Sequence, residues 1–295
     1  MKCKKCSKNA VFSQPKYCKK HFMSYVESNI AKTIKKFNLI SRRDKIVVAV
    51  SGGKDSLSVL YNLRQYNPVA LAIDEGISGY REKTLADLDN FCKKYDIKLK
   101  IVSIKKEFGF TLDSALKKTK LKPCTVCGAI RRYLINKYAK KMKATKLATG
   151  HNMDDEAQSI LMNLFRNQLE ISARLGPMTG LIKDKRFIQR IKPLYFLTEK
   201  EITAYSFIKN FGVHYIECPY STDSYRNYIA DALNNEEQKN PGTKANIVKW
   251  FLKELPALKK QFATDKIPNS CEMCGEPAHG DICKVCELLE KIKKY

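Results

Sequence analysis

Long apolar runs are missing from this 295-residue chain. None approaches the ~20 consecutive residues that a membrane-spanning helix needs, so no membrane partner is expected. The opening stretch, MKCKKCSKNA, is basic with no apolar segment behind the charge, so no secretory signal is expected either. No internal repeat or low-complexity tract is found, which argues against a solenoid or a disordered chain. The Walker phosphate loop, G-x-x-x-x-G-K-[ST], is absent too. Acidic residues are scarce: 30 Asp and Glu stand against 55 Lys and Arg, leaving a net charge of +25.

What is present fits a cytoplasmic protein with a packed core, since 44% of residues are hydrophobic. The basic excess suits a polyanion, because each phosphate neutralised by a cation releases condensed counterions. A lysine-rich background accounts for part of it. The charge is spread along the chain, so only a folded surface could gather it.

Eleven cysteines in a reducing compartment indicate metal rather than disulfides. Cys3-x2-Cys6-x11-Cys18-x2-His21 lies near the N-terminus, and Cys271-x2-Cys274-x8-Cys283-x2-Cys286 near the C-terminus. Each supplies four soft ligands as two close pairs, the pattern of a closed structural zinc site. Each segment is too polar to build a core, so the metal would supply folding energy. His279 lies between the C-terminal pairs, but four thiolates already suffice. These two Zn²⁺ fingers bound the expected organisation: finger at 1–28, central domain at 29–265, finger at 266–295. Cys124-x2-Cys127 and the distant Cys218 form a third group. Only Cys92 is left over, as an expected core residue.

The central region alternates apolar strands with amphipathic helices, which predicts a doubly wound parallel α/β sheet. Expected strands are IVVAV, VALAID, IKLKIVSI and KLATG, with helices between them. Beyond residue 195 the pattern becomes mostly helical, with TEKEITAYSFIKNFG ended by Gly212. The stretch AVSGGKDSLS, residues 49–58, follows the first core strand. In such a sheet, ligands sit beyond the carboxyl ends of strands. Gly52 and Gly53 permit close backbone approach, Ser51 and Ser56 offer hydroxyls, and Lys54 adds charge. The helix start offers free N–H groups to an anion. Asp55 could cap that helix or position Mg²⁺.

The S-G-G-x-D-S loop after an apolar strand resembles the PP-loop ATP pyrophosphatases. ATGHNMDDEAQS (148–159), PCTVCG (123–128) and ECPY (217–220) resemble further segments of the tRNA 2-thiouridine synthetases of that superfamily. The likeness runs through the whole chain in order. It implies that ATP adenylates the C2 oxygen of a tRNA uridine, releasing pyrophosphate, and that sulfur then displaces AMP.

The resemblance implies that Cys124, Cys127 and Cys218 hold a [4Fe–4S] cluster. Three thiolates without an obvious fourth agree with a cluster that has one open iron. A persulfide on Cys124 or Cys218 is the competing account, in which Cys127 has no necessary role. A third structural zinc would lack its fourth ligand. By resemblance, Arg131 neutralises phosphate charge where the family more often has Lys. Asp155 acts as general acid/base or positions metal, although Asp154 or Asp155 could equally cap a helix. Ala49, Ile73, Asp74, Gly150 and His151 are expected around adenine and ribose. Arg186, Arg190 and Lys192 could lie on the tRNA path.

Position 34 of tRNA is favoured over position 54, because the abundant Asn and the free Cys92 look mesophilic. The sulfur donor would be free sulfide or a ubiquitin-like carrier, and a homodimer is expected by resemblance. An amidotransferase or ligase acting on a small molecule would keep the loop but leave the fingers, the third cysteine group and the charge unexplained. A zinc-finger RNA-binding protein without catalysis would leave the loop unexplained.

Overall fold

The computed structural model describes all residues except 120, 182–183, 222–223, 264–267 and 295. At the N-terminus a short hairpin, β1 (Phe12–Ser13) and β2 (Lys16–Tyr17), runs into helix α1 (Lys19–Lys36). Phe22, Val26, Ile30 and Ile34 recur every fourth residue on α1, so one stripe of the helix is buried. Phe12 of the hairpin stacks on Phe22 with ring centroids 4.4 Å apart. The finger is therefore continuous with the core, and the boundary expected at 28/29 falls inside α1.

Beyond α1 come β3 (Ile46–Ala49), α2 (Lys54–Leu63), β4 (Val69–Asp74), α3 (Arg81–Lys94) and β5 (Leu99–Ser103). Two short helices, α4 (Ile104–Phe108) and α5 (Leu112–Lys118), precede the long α6 (Pro123–Lys141). After them come β6 (Lys146–Ala148), α7 (Met153–Phe165), α8 (Leu169–Ala173) and β7 (Gln189–Ile191).

The five strands pair in the order β5-β4-β3-β6-β7, every pair parallel. This is the expected doubly wound sheet, with β7 added at an edge where the sequence pattern gave no strand. Side chains alternate across it. Ile46, Val48, Ala70 and Ala72 face a core shared with α1, α2 and α3; Val47, Leu71, Ile73 and Leu147 face one shared with α5 and α6.

The helical remainder comprises α9 (Glu199–Lys209), α10 (Tyr225–Lys239) and α11 (Thr243–Gln261). Asn210, in the left-handed region at φ 51°, terminates α9 two residues before the expected Gly212. α10 and α11 pack on α7 through Ile229, Leu233, Val248 and Phe251. The second finger follows as β8 (Asn269–Ser270), β9 (Pro277–Ala278) and α12 (Lys284–Lys293). It joins the core face of α6 through Val285, Leu288 and Ile292. Among the described residues no helix is long and apolar enough to cross a membrane.

Strand order reverses between β3 and β6, so the crevice above their carboxyl ends is the topological switch point. Residues 51–56 leave β3 there, and residues 149–152 leave β6 beside them.

Candidate active site and metal centres

The loop is shaped by close approach. Gly52 has φ +86°, and a Cβ on it would stand 2.2 Å from the Thr84 carbonyl oxygen. A Cβ on Gly150 would stand 2.8 Å from the Ser56 nitrogen. These two glycines let α3 and the β6 loop close on the start of α2. Within the loop, the Ser51 N–H donates to Ser56 Oγ (3.2 Å), and Ser56 Oγ–H donates to the Gly53 carbonyl (3.0 Å). Gly53 is the N-cap of α2 and supplies no side-chain cap.

Asp55 does not cap its helix. Its Oδ2 pairs with Lys54 Nζ at 3.1 Å, and its Oδ1 accepts from Asn152 Nδ2 at 3.2 Å. Lys54 also reaches Glu199 Oε1 at 2.8 Å. Burial pushes the Asp55 carboxyl up, and the nearby Asp155 adds to the rise. Residues Gly52 to Asp55 line a cavity of ≈ 290 Å³ together with Tyr80, Asp87 and the 213–217 loop. His214 pins that loop to α3: its N–H donates to Asp87 Oδ2 at 3.1 Å, and its Nδ1 lies 2.6 Å from Oδ1.

Asn152 caps α7 by accepting the N–H groups of Asp154 and Asp155, and Asp155 Oδ2 accepts the Asn152 N–H at 3.0 Å. Asp155 is thus both a capping residue and a cleft residue, its Oδ1 facing Arg226 Nη1 at 3.5 Å. Burial pushes its carboxyl up. Asp154 turns inward to Lys244 and the Glu199 N–H. His151 reaches solvent at the rim, and its Nδ1 lies 2.9 Å from Thr149 Oγ1. Desolvation by the crowded surroundings, then the positive charges of Lys192, Arg226, Arg190 and Arg131, push it down, and its exposed ring tempers the desolvation.

Of the expected nucleotide residues, Asp74 closes a turn by accepting the Gly76 N–H at 3.0 Å. The Ile73 carbonyl already accepts from Arg81 Nε (2.9 Å) and Nη2 (2.5 Å). Ala49 ends β3, directly beneath the loop. Among the residues expected on a tRNA path, Lys192 is buried and paired with buried Glu156. Arg186 grips Asp184 and the Pro268 carbonyl, tying the second finger to the core. Arg190 lies within reach of the Arg132 charge. Desolvation and the Arg132 charge push its pKa down, and neither arginine has an ion-pair partner among the described residues.

Pro123 starts α6, so Cys124 and Cys127 stand one turn apart on its first turns. Cys124 is exposed, and its Sγ lies 3.5 Å from the Tyr220 carbonyl oxygen. Cys218 lies close enough for its charge to bear on both Cys127 and Tyr80, a wall of the loop cavity. Asp113 of α5 fixes this corner, accepting Tyr220 Oη–H (2.8 Å) and the Ser78 N–H (2.9 Å). Arg131, one turn past Cys127, points Nε at Glu75 Oε1 (3.1 Å).

The terminal quartets fit zinc. A tetrahedral ion with Zn–S bonds of ~2.3 Å sets neighbouring sulfurs ~3.8 Å apart. Cys6 and Cys18 stand 3.7 Å apart, as do Cys274 and Cys283; Cys3 and Cys18 each lie 3.4 Å from His21 Nδ1. All ligand atoms within each quartet converge within 4.8 Å. Among the described residues Cys124, Cys127 and Cys218 form no group that tight. Three thiols gathered in one corner yet spread wider than a single ion requires suit ligands on separate metals of one cluster.

A family model described as PP-loop domain matches residues 23–237. A tRNA-5-methyluridine(54) 2-sulfurtransferase from Pyrococcus horikoshii is 39% identical, covering 98% of this chain and 93% of its own. The tRNA 2-thiolation protein NcsA from Haloferax volcanii is 34% identical over 99% of both. The U34-tRNA thiolase NcsA from Methanococcus maripaludis, solved with its [4Fe–4S] cluster, superposes with a TM-score of 0.83 at 33% identity, covering 99% and 96%. The chain belongs to the PP-loop tRNA 2-thiolation family. The comparisons agree with the expected fold and with the kind of reaction that the resemblance implied.

Sequence reasoning missed Glu75, Arg81, Asn152, Glu199 and Arg226. Asn152 was accessible, as an N-cap residue directly before an acidic first turn. The other four acquire meaning only from distant partners.

Proposed function

We propose that this chain is an ATP-dependent tRNA uridine 2-sulfurtransferase. The observation that carries the reading is a shared wall. Tyr80 and Glu217 line the PP-loop cavity, and Cys218 follows Glu217 directly in the chain, so nucleotide and sulfur chemistry meet at one cleft.

The N–H groups at the start of α2, with Ser51, Ser56 and Lys54, hold the β- and γ-phosphates. Asp55 and Asp155 flank Asn152, which bonds both carboxylates, and would hold Mg²⁺ with those phosphates, as Mg²⁺ usually takes one or two carboxylates. The uracil C2 oxygen attacks the α-phosphorus, the α–β bridge breaks, and pyrophosphate leaves. Arg131 and Arg226 would neutralise negative charge that accumulates on the adenylated intermediate. Sulfide, free or delivered by a carrier, then adds at C2, and the original oxygen departs on AMP. Cys124, Cys127 and Cys218 would hold a [4Fe–4S] cluster, which supplies an iron able to take sulfur as its fourth ligand. The two zinc quartets are closed and structural.

Position 34 is the favoured target on composition. Position 54 is the second reading, supported by the identity to the Pyrococcus protein. Nucleoside mass spectrometry with site mapping, on tRNA from a strain lacking the gene, tests both. Loss of 2-thiouridine at 34 alone supports the first reading, loss at 54 alone the second, and unchanged thiolation rejects the function.

A further inference from the structure

Glu75 follows β4 and is buried, with 4% of its side chain exposed. It lies between two guanidiniums, Arg81 Nε at 2.8 Å from Oε2 and Arg131 Nε at 3.1 Å from Oε1. Arg81 spends its N–H groups elsewhere: two donate to the Ile73 carbonyl, and Nη1 donates to the Ser51 carbonyl (2.6 Å) and Thr84 Oγ1 (3.0 Å). Glu75 Oε2 consequently receives no hydrogen bond among the described residues and meets Arg81 as charge alone. Arg131 has no other ion-pair partner among the described residues, and it lies one turn after Cys127 on α6.

We propose that Glu75 is a positioning residue, fixing the Arg131 guanidinium between the cysteine corner and the nucleotide cleft; this rests on the thiolation reading. Two physical arguments support it. A lone buried carboxylate is expensive, and a fold that needed only stability would serve as well with an apolar pair. Holding Arg131 in one place, by contrast, uses this charge well. A free arginine side chain is rich in rotamer entropy, and a fixed one can act without reorganising. The contacts run from the Ser51 carbonyl through Arg81 and Glu75 to Arg131, one turn along α6 from Cys127. The loop that holds phosphate and the helix that carries two cysteines are thereby set relative to one another by a single carboxylate.

The test uses cluster-loaded protein with tRNA, ATP and sulfide, comparing wild type, Glu75→Gln, Arg131→Met and the double variant. Glu75→Gln keeps shape and removes charge. Its kcat for thiolation should fall about 10- to 100-fold, the range expected when a catalytic group is displaced by roughly 1 Å. The KM for ATP should stay within about twofold, and iron per chain should not change. Because Glu75 acts through Arg131, the double variant should be no slower than Arg131→Met alone. Multiplying losses, wild-type kcat in Glu75→Gln, or loss of iron would each overturn the proposal.

Solvent exchange of the Arg131 Nε–H, followed by NMR on labelled protein, reads the same point without turnover. Exchange should accelerate about tenfold or more in Glu75→Gln, and an unchanged rate overturns the positioning role. Should Glu75→Gln not fold, Glu75→Asp carries both measurements, and wild-type kcat with wild-type exchange in that variant overturns the proposal. Failure of the function itself is seen separately, as wild type that makes no thiouridine while its Arg131 N–H exchanges slowly.

Discussion

Asn152 donates from Nδ2 to Asp55 Oδ1 at 3.2 Å while its own Oδ1 caps α7, so one amide ties the starts of α2 and α7 together. Asn152→Ala removes a cap, at about 1 kcal/mol, and takes the amide from Asp55 Oδ1, leaving Lys54 as the carboxylate's partner. We expect a small loss in melting temperature but at least a tenfold loss of tRNA-dependent pyrophosphate release, because Asp55 loses its orientation. Asp55→Ala should abolish that release. A full rate from either variant in a pyrophosphate assay would remove this contact from the chemistry.

Gly52→Ala should be costlier than a typical loop substitution. The new methyl would meet the Thr84 carbonyl at 2.2 Å in a left-handed backbone, so α3 and the loop must part. Destabilisation of roughly 1–3 kcal/mol is expected from the strain. ATP affinity, followed by calorimetry, should fall with it, whereas Gly79→Ala, with open space around its Cβ position, should keep ATP affinity.

Zinc removal should reach beyond the fingers. Phe12 of the first finger belongs to the main core, and Arg186 and Glu276 tie the second finger to the core. Chelation, or Cys6→Ser, should therefore lower the melting temperature of the whole chain in one transition. Two separate transitions would show that the fingers fold as independent units.

Much of this was legible because it is local. The ligand spacings, the S-G-G-K-D-S loop and the apolar strands each lie within a few residues, and their physics acts at that range. Lys192 was misplaced on a surface because a lysine's polarity predicts exposure; its pairing with Glu156, 36 residues away, keeps it buried. β7 was invisible, since three residues carry too little alternation to stand out. Glu75 and Arg226 could not be found either. What marks them is a partner on another element, and a single sequence does not state which elements touch.

His151 gives a pH signature. Its folded pKa is depressed below the 6.5 of an unfolded histidine, by desolvation and by the surrounding cations, though solvent at its exposed ring reduces the shift. As pH falls below about 6.5, protons bind the unfolded chain first, so the native state loses stability as the pH drops towards the depressed folded pKa. His151→Asn should show a shallower decline in melting temperature from pH 6.5 to 4 than wild type. Parallel curves would mean that the ring takes up its proton freely in the folded protein.

Cys127 separates the two sulfur mechanisms. Anaerobically purified protein should be brown, with about four irons per chain on the cluster reading. There all three thiolates are ligands, so Cys127→Ser should lose iron and thiolation together while still binding ATP, since the loop cavity is not lined by it. In the persulfide account Cys124 and Cys218 suffice, so the same variant should remain active without iron. Cys218→Ser stops thiolation in both accounts and serves as the control. An iron-free Cys127→Ser enzyme that makes normal 2-thiouridine would reject the cluster, and an inactive one that still binds ATP would reject the two-cysteine route.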